Sequence, residues 1–228
     1  MSGHEKNLYQ RRLMKEYSVS EADIEARMRW SLPVLSSNSK CSVSLDLPIH
    51  NCIPTAVCAQ VCYASQGTQL FKRSVIKSLA VQRMIDADPE RVARKMVDEG
   101  EGRYIRIAGS GEILPSHKTL LDYVTGLNGK WWGFTRRIDT HRVLPQLMFS
   151  LDASTTADTL EYVLAEVPIH RRAYLRRPED AESPISVAVT FPVHGSVTSY
   201  AHLVPAHATD CPFDRGDVSG CWRCERCY

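Results

Sequence analysis

The sequence predicts an α/β fold: a partial (βα) barrel or an open, mainly parallel sheet. A helical segment precedes it and a cysteine-rich tail follows. Three observations carry this expectation. From Gly102 onward, short apolar runs alternate with helical stretches, in the order YIRIAGSGEIL, SHKTLLDYVTGLNG, WWGFTRR, LMFSLDAS, TADTLEYVLAEV, RRAYLRR and PISVAVTFPV. Strands alternating with helices are the signature of βα units around a parallel sheet. The chain has 228 residues, of which 43% are hydrophobic, enough for one sizeable core and too few for a second large domain. Beyond His194 the periodicity stops, and four of the eight cysteines gather there. We therefore expect a single domain: residues 1–30 helical, 31–193 the α/β core, and 194–228 a metal-binding tail.

The elements follow in order. Residues from about Glu5 to Arg29 read as one or two polar helices, and Ser20 followed by Asp23 resembles a helix start. Within the Pro-, Ser- and Asn-rich stretch from Ser31 to Asn51, CSVSLDLP alternates as a strand would, with Val43, Leu45 and Leu47 on one face. TQLFKRSVIKSLAVQRMI places Leu70, Phe71, Val75, Ile76, Leu79 and Met84 at helical spacing, which predicts one buried face. Asp88–Pro89 reads as an N-cap with proline at the first helical position, and that helix should stop at Gly100. Ser116 is positioned to cap the helix after GSGEILP. In WWGFTRR, Trp131 and Trp132 alternate across the sheet, so at least one should pack in the core. No internal repeat or low-complexity tract is visible.

Charge and hydropathy exclude some functions. The net charge of +2 is too small to imply a nucleic-acid or membrane partner by itself. No apolar run approaches the roughly 18 residues that a bilayer span needs, so no membrane partner is expected. The first twenty residues lack the apolar stretch of a secretory signal. A cytoplasmic protein with reduced thiols is expected, and eight cysteines there point to metal; an exported chain would pair them as disulfides instead. Arginines cluster as Arg136, Arg137 and Arg142, and as Arg171, Arg172, Arg176 and Arg177.

The cysteines fall in two groups. NCIPTAVCAQVCYASQG holds Cys52, Cys58 and Cys62, and the tail holds Cys211 followed by Cys221, Cys224 and Cys227. Thiolates a few residues apart can face one metal centre across a tight loop, and sulfur selects zinc or iron–sulfur clusters over hard cations. Zinc usually takes pairs of cysteines, whereas three from one loop can hold three corners of an iron–sulfur cubane. Three thiols leave one position open or completed from elsewhere. Cys41, alone in a strand, reads as a buried free thiol.

Three strand ends carry further candidates. IAGSGEILP ends a strand in glycines, which expose backbone groups to a ligand, and Glu112 is the residue that a turn alone does not require. In LMFSLDAS, Ser150 and Asp152 end a buried strand, at the edge where α/β folds bind ligands; alternatively Asp152 caps the following helix. Thr135, Arg136 and Arg137 end another strand, and the arginines are either anion ligands or solvated surface.

The order of these segments resembles the radical S-adenosylmethionine enzymes: a cysteine triplet ending CYA, a long helix, then strands ending in GSGE, TRR and SLDAS. That family has a three-cysteine loop after the first strand of a partial barrel and a glycine-rich turn after the second. The resemblance implies that Cys52, Cys58 and Cys62 hold three irons of a 4Fe–4S cluster, whose fourth iron binds S-adenosylmethionine. It places Gly109, Ser110, Gly111 and Glu112 along that cofactor, with Ser150 and Asp152 facing the same cavity. The spacing here is C-x5-C-x3-C where the family has C-x3-C-x2-C, GSGE stands for its GGE-type turn, and the chain is short for a full barrel. A closer resemblance is to the phage and plasmid family called gene product eighty-eight, small cysteine-rich proteins of unassigned activity. It is carried by NSKCSVSLDLPIHNCIPTAVCAQVCYASQG, GFTRR, FSLDAS and CP…CWRCERCY.

Two functions are thus expected. One is an enzyme that cleaves S-adenosylmethionine to start radical chemistry on an unspecified substrate, with an auxiliary cluster or zinc in the tail. The other is a non-catalytic iron–sulfur or zinc protein with all-cysteine sites, binding nucleic acid through its arginine clusters or a protein partner.

Overall fold

The computed structural model describes residues 8–38, 41–65, 67–176, 185–192 and 209–210. Helices α1 (Leu8–Tyr17) and α2 (Glu21–Arg27) open the chain. Ser20 caps α2 as expected, its Oγ accepting from the Asp23 N–H at 3.2 Å. Then follow β1 (Leu35–Asn38), β2 (Ser42–Leu45), α3 (Ala56–Val61), α4 (Lys72–Ala87), α5 (Pro89–Gly100) and β3 (Tyr104–Ile107). After them come α6 (Lys118–Gly126), β4 (Lys130–Thr135), α7 (Ile138–Val143) and β5 (Met148–Asp152). The series ends with α8 (Ala157–Glu166), β6 (Arg172–Arg176), β7 (Val189–Pro192) and β8 (Thr209–Asp210). No described helix is long and apolar enough to cross a membrane.

Among the described residues these strands form one sheet in the order β1-β2-β3-β4-β5-β6-β7-β8. β1 runs antiparallel to β2, with Leu35 opposite Leu45. Every later pairing is parallel. The order never reverses, so the α/β fold is wound in one direction, as a partial (βα) barrel is, and not doubly wound. Right-handed crossovers then put the connecting helices on one face. Alternate strand residues show the result. Val43, Leu45, Ile105 and Ile107 pack with Val81, Met84, Val92, Met96, Leu120 and Leu121 from α4, α5 and α6. Phe149, Leu151 and Tyr174 pack with Val163 of α8. The other face is lined by Trp132, Phe134, Met148, Ala173 and Val189. Trp132 is buried, as expected for one of the tryptophan pair, and Cys41 is buried beside it.

Three expectations need correction. In α4 the buried residues include Val75, Ser78, Val81, Met84 and Ile85, while Phe71 precedes the helix and is exposed. The helix meets α1, α2 and α5, so its covered surface is wider than one apolar stripe, and small Ser78 serves the close side. Ser116 is not the cap of the helix after GSGEILP. His117 Nδ1 instead accepts the Leu114 N–H at 3.1 Å, and a 3-10 turn, Pro115–His117, leads into α6. Strand β1 and helix α7 were not anticipated, because four to six residues carry too little periodicity to register.

His117 is buried, and its Nε2 lies 3.0 Å from Gln82 Oε1, which also accepts from Asn51 Nδ2 at 3.1 Å. With Nδ1 accepting, Nε2 carries the proton. Burial lowers its pKa to about 4, below the ordinary 6.5. The unfolded chain therefore takes up the proton first, and stability falls as pH drops from about 6.5 toward 4, by about 3 kcal/mol in total. In His117→Asn, whose amide oxygen can replace Nδ1 as acceptor, this part of the acid sensitivity should vanish. Urea unfolding of both proteins at pH 7 and pH 4 measures it.

Candidate metal centre at the carboxyl ends of the strands

Four segments meet at the carboxyl edge of the sheet, where singly wound α/β folds place their chemistry. After β2, residues 46–48 lead to a 3-10 turn, Ile49–Asn51, and directly to Cys52. Cys58 lies in α3, and Cys62 ends that helix. β3 runs into Gly109–Glu112, β4 into Arg136 and Arg137, and β5 ends on Asp152. All three cysteines are free and half-buried. They converge electrostatically. Burial, Glu112, Cys58, Cys62 and Glu16 push the Cys52 thiol well above its ordinary pKa. Burial also raises Cys58, opposed by Arg136 and reinforced by Cys62, Asp152 and Glu112.

This donor set suits a cationic sulfur-loving centre. The thiols repel one another as thiolates, lie near carboxylates and are withdrawn from water, so a metal would take the place of their protons. Among the described residues, no three His, Cys, Asp or Glu side chains stand close enough to share a single ion. Ligands that each take a different iron of a cluster stand further apart than ligands of one zinc ion. Cys211, Cys221, Cys224 and Cys227 lie outside the described residues.

Asp152 locks the cysteine loop to the sheet. Its side chain is buried. It accepts from Arg136 Nη1 at 2.5 Å, from the Thr55 hydroxyl, and from Ser154 N and Oγ, both at 2.9 Å. Thr55 in turn caps α3 by accepting the Cys58 N–H at 3.2 Å, and Ser154 Oγ accepts the Val57 N–H at 3.0 Å. Two orphan donors of the first turn of α3 are thereby satisfied, one by its own N-cap Thr55 and one by Ser154 beyond β5. Asp152 therefore does not cap the following helix, whose N-cap is Thr156. Its carboxylate oxygens bind side chains of this chain and hold the loop that carries the cysteines. Ser150, half-buried, shares a strand face with Asp152.

The GSGE turn is fastened to the same loop. Gly109 N donates to Leu45 O at 2.9 Å, and Leu47 N donates to Ser110 O at 2.9 Å. Ser110 Oγ donates to Leu47 O at 3.1 Å. Gly111 has φ 76°, and a Cβ there would lie 2.4 Å from Leu47 O, so only glycine allows this approach. Glu112 is buried. Burial raises its pKa to about 7, against the Thr135 hydroxyl, the Arg136 charge and the backbone N–H groups of Ile113 and Arg136. It is a carboxyl poised to hold or release a proton near neutrality.

The sequence anticipated α1 as a polar helix but not its part in the site. Tyr9, Arg12 and Glu16 share one face of it, and Tyr9 and Glu16 reach the entry to Cys52. Glu16 accepts from Ile49 N at 2.8 Å and from His50 N at 3.1 Å. The Tyr9 hydroxyl lies within hydrogen-bond reach of Ile49 O at 3.3 Å and Cys52 O at 3.4 Å. The available signal was the spacing of these three polar residues in a helix that otherwise read as solvated. Two arginines of the clusters are engaged within the chain. Arg137 forks onto Asp139 at 2.6 and 3.1 Å, and buried Arg172 donates to Val167 O at 2.8 Å.

No family model, curated protein or solved structure gives a significant match to this chain.

Replacing Asp152 by Asn removes the carboxylate charge paired with Arg136 and loosens the α3 tether. The loss should be about 3–5 kcal/mol, as for other broken buried pairs, measured by urea unfolding. The native-state reaction of Cys58 with a thiol reagent should accelerate in parallel. Unchanged reactivity would show that α3 is held by other contacts.

Proposed function

We propose that Cys52, Cys58 and Cys62 hold a 4Fe–4S cluster with one iron free of protein ligands, and that S-adenosylmethionine binds there. The observation that carries this reading is the meeting of three half-buried thiols with Glu112 and Arg136 at the carboxyl edge of a singly wound parallel sheet. When bound, such a cluster supplies the electron that cleaves S-adenosylmethionine to a deoxyadenosyl radical. Glu112 takes the ammonium group of the cofactor, because a buried carboxylate with a cationic partner forms a strong charge-assisted hydrogen bond. Thr135 and the backbone N–H groups of Ile113 and Arg136 orient that carboxyl. Asp152 and Arg136 hold the cysteine loop against the sheet and do not touch the cofactor. The tail cysteines Cys211, Cys221, Cys224 and Cys227 take an auxiliary cluster or zinc. Thiol ligation of this kind suits the reducing cytoplasm.

Anaerobic reconstitution tests the reading. The protein should take up iron and sulfide, and Cys52→Ser, Cys58→Ser and Cys62→Ser should each lose most of it. Addition of S-adenosylmethionine should change the electron paramagnetic resonance spectrum of the reduced centre. Glu112→Gln should keep its iron and show a response weakened at least tenfold in cofactor concentration. A wild-type spectrum blind to the cofactor, with one tail cysteine variant making the centre labile, would mean a structural or electron-carrying cluster and defeat the catalytic reading.

A further inference from the structure

Beside Cys62 stand two buried side chains, each with donors that lack a hydrogen-bond acceptor among the described residues. Arg12 is 0% exposed and Ser65 is 1% exposed. Arg12 Nε and Nη1 and Ser65 Oγ are without hydrogen-bond partners. The obvious acceptor for Arg12 is otherwise engaged. Glu16 lies 3.6 Å from Arg12 Nε, beyond hydrogen-bond length, and its oxygens accept from Ile49 N, His50 N and the His50 ring. The third nitrogen, Nη2, makes a long contact of 3.5 Å with Ser78 Oγ. Both orphans belong to segments that touch, since α1 packs on the turn Tyr63–Ser65. Ser65 N donates to Cys62 O at 3.0 Å, which ties that turn to the third cysteine. Glu16 is the foremost charge partner of the guanidinium, and Asp46 and Cys62 also lie within its electrostatic reach.

A guanidinium keeps its charge in proteins, and burying its donors unmet is unfavourable. Groups in this condition usually answer to a ligand or another role that the chain alone does not reveal. The nearest chemistry is a thiolate-held, negatively charged centre, and sulfur accepts hydrogen bonds from such donors.

We propose that Arg12 and Ser65 donate hydrogen bonds to the sulfur atoms of the cluster beside Cys62 and thereby raise its reduction potential. This rests on the cluster reading above. Reduction adds one electron, supplied by an external reductant, and leaves the centre more negative. A buried cation and two sets of donors favour the reduced form over the oxidised one, and hydrogen bonds to sulfur are a known lever on such potentials. Arg12 and Ser65 are on this account positioning residues that act through the centre.

The test is redox titration of reconstituted protein, followed by electron paramagnetic resonance, after iron and sulfide per chain have been measured. In Arg12→Gln the ratio of reduced to oxidised centre at a fixed potential should fall at least tenfold, which is 59 mV for one electron. Ser65→Ala should shift in the same direction by less, and Arg12→Lys should retain most of the wild-type potential. The sign separates this role from packing. Loosening α1 would admit water, which favours the more negative reduced form and raises the potential. Potentials of Arg12→Gln and Ser65→Ala within twofold of the wild-type ratio, or raised above it, overturn the inference while leaving the cluster intact. Absence of iron and sulfide from reconstituted wild type overturns the cluster reading and this inference with it. Should Arg12→Gln fail to fold, Ser65→Ala decides: a wild-type potential there sinks the proposal.

Discussion

The Asp152 carboxylate is the point on which the candidate site depends. It ends β5, faces the guanidinium of Arg136 from the end of β4, and holds Thr55 at the head of α3. Withdrawing a carboxylate from water is unfavourable by several kcal/mol unless charge and hydrogen bonds replace the solvent. Here Arg136, Thr55 and both donors of Ser154 replace it. The arrangement ties three separate stretches of chain together through one buried group. The position of Cys58 follows from it, because the N–H of Cys58 is bound to the same Thr55 oxygen.

A second constraint acts from the opposite side. Helix α1 turns Arg12 and Glu16 inward, while Gln10, Arg11 and Lys15 stay exposed beside Met14 and Tyr17, at 53% and 73% exposure. Two charged residues on the covered face depart from the usual amphipathic arrangement. The reason lies in what the helix covers. Beneath it runs the irregular backbone from Ile49 to Cys52, whose N–H and carbonyl groups need partners. Glu16 and Tyr9 supply them. A helix laid over unpaired backbone should be polar on its inner face, and this one is.

Much of the architecture was legible from the sequence. The alternation of apolar runs and helices after Gly102 anticipated β3 to β7 with α6 and α8 between them, and Ser20 and Asp88–Pro89 marked helix starts correctly. The convergence of Cys52, Cys58, Cys62, Glu112 and Asp152 was expected from the resemblance that the order of the segments carries. Their division of labour was not. Asp152 and the glycines of GSGE bind other parts of the chain, contacts between residues up to 97 positions apart, and no local pattern encodes such a pairing. The burial of Arg12 and Arg172 was equally hidden, since an arginine is ordinarily a surface residue and only the tertiary structure shows which one is enclosed.

The sequential order of the strands has a consequence for the nascent chain. Each strand from β2 onward pairs with the one made just before it, so the sheet can grow from one side as the ribosome works. The cysteine loop cannot be completed on that schedule. Thr55 emerges 97 residues before Asp152, an interval of roughly 5 to 20 s at ordinary rates of elongation. Through that time the three thiols are already made but the anchor that orders them is not. Delivery of metal before β5 has been synthesised would meet an unanchored loop, and delivery afterwards would meet the finished one.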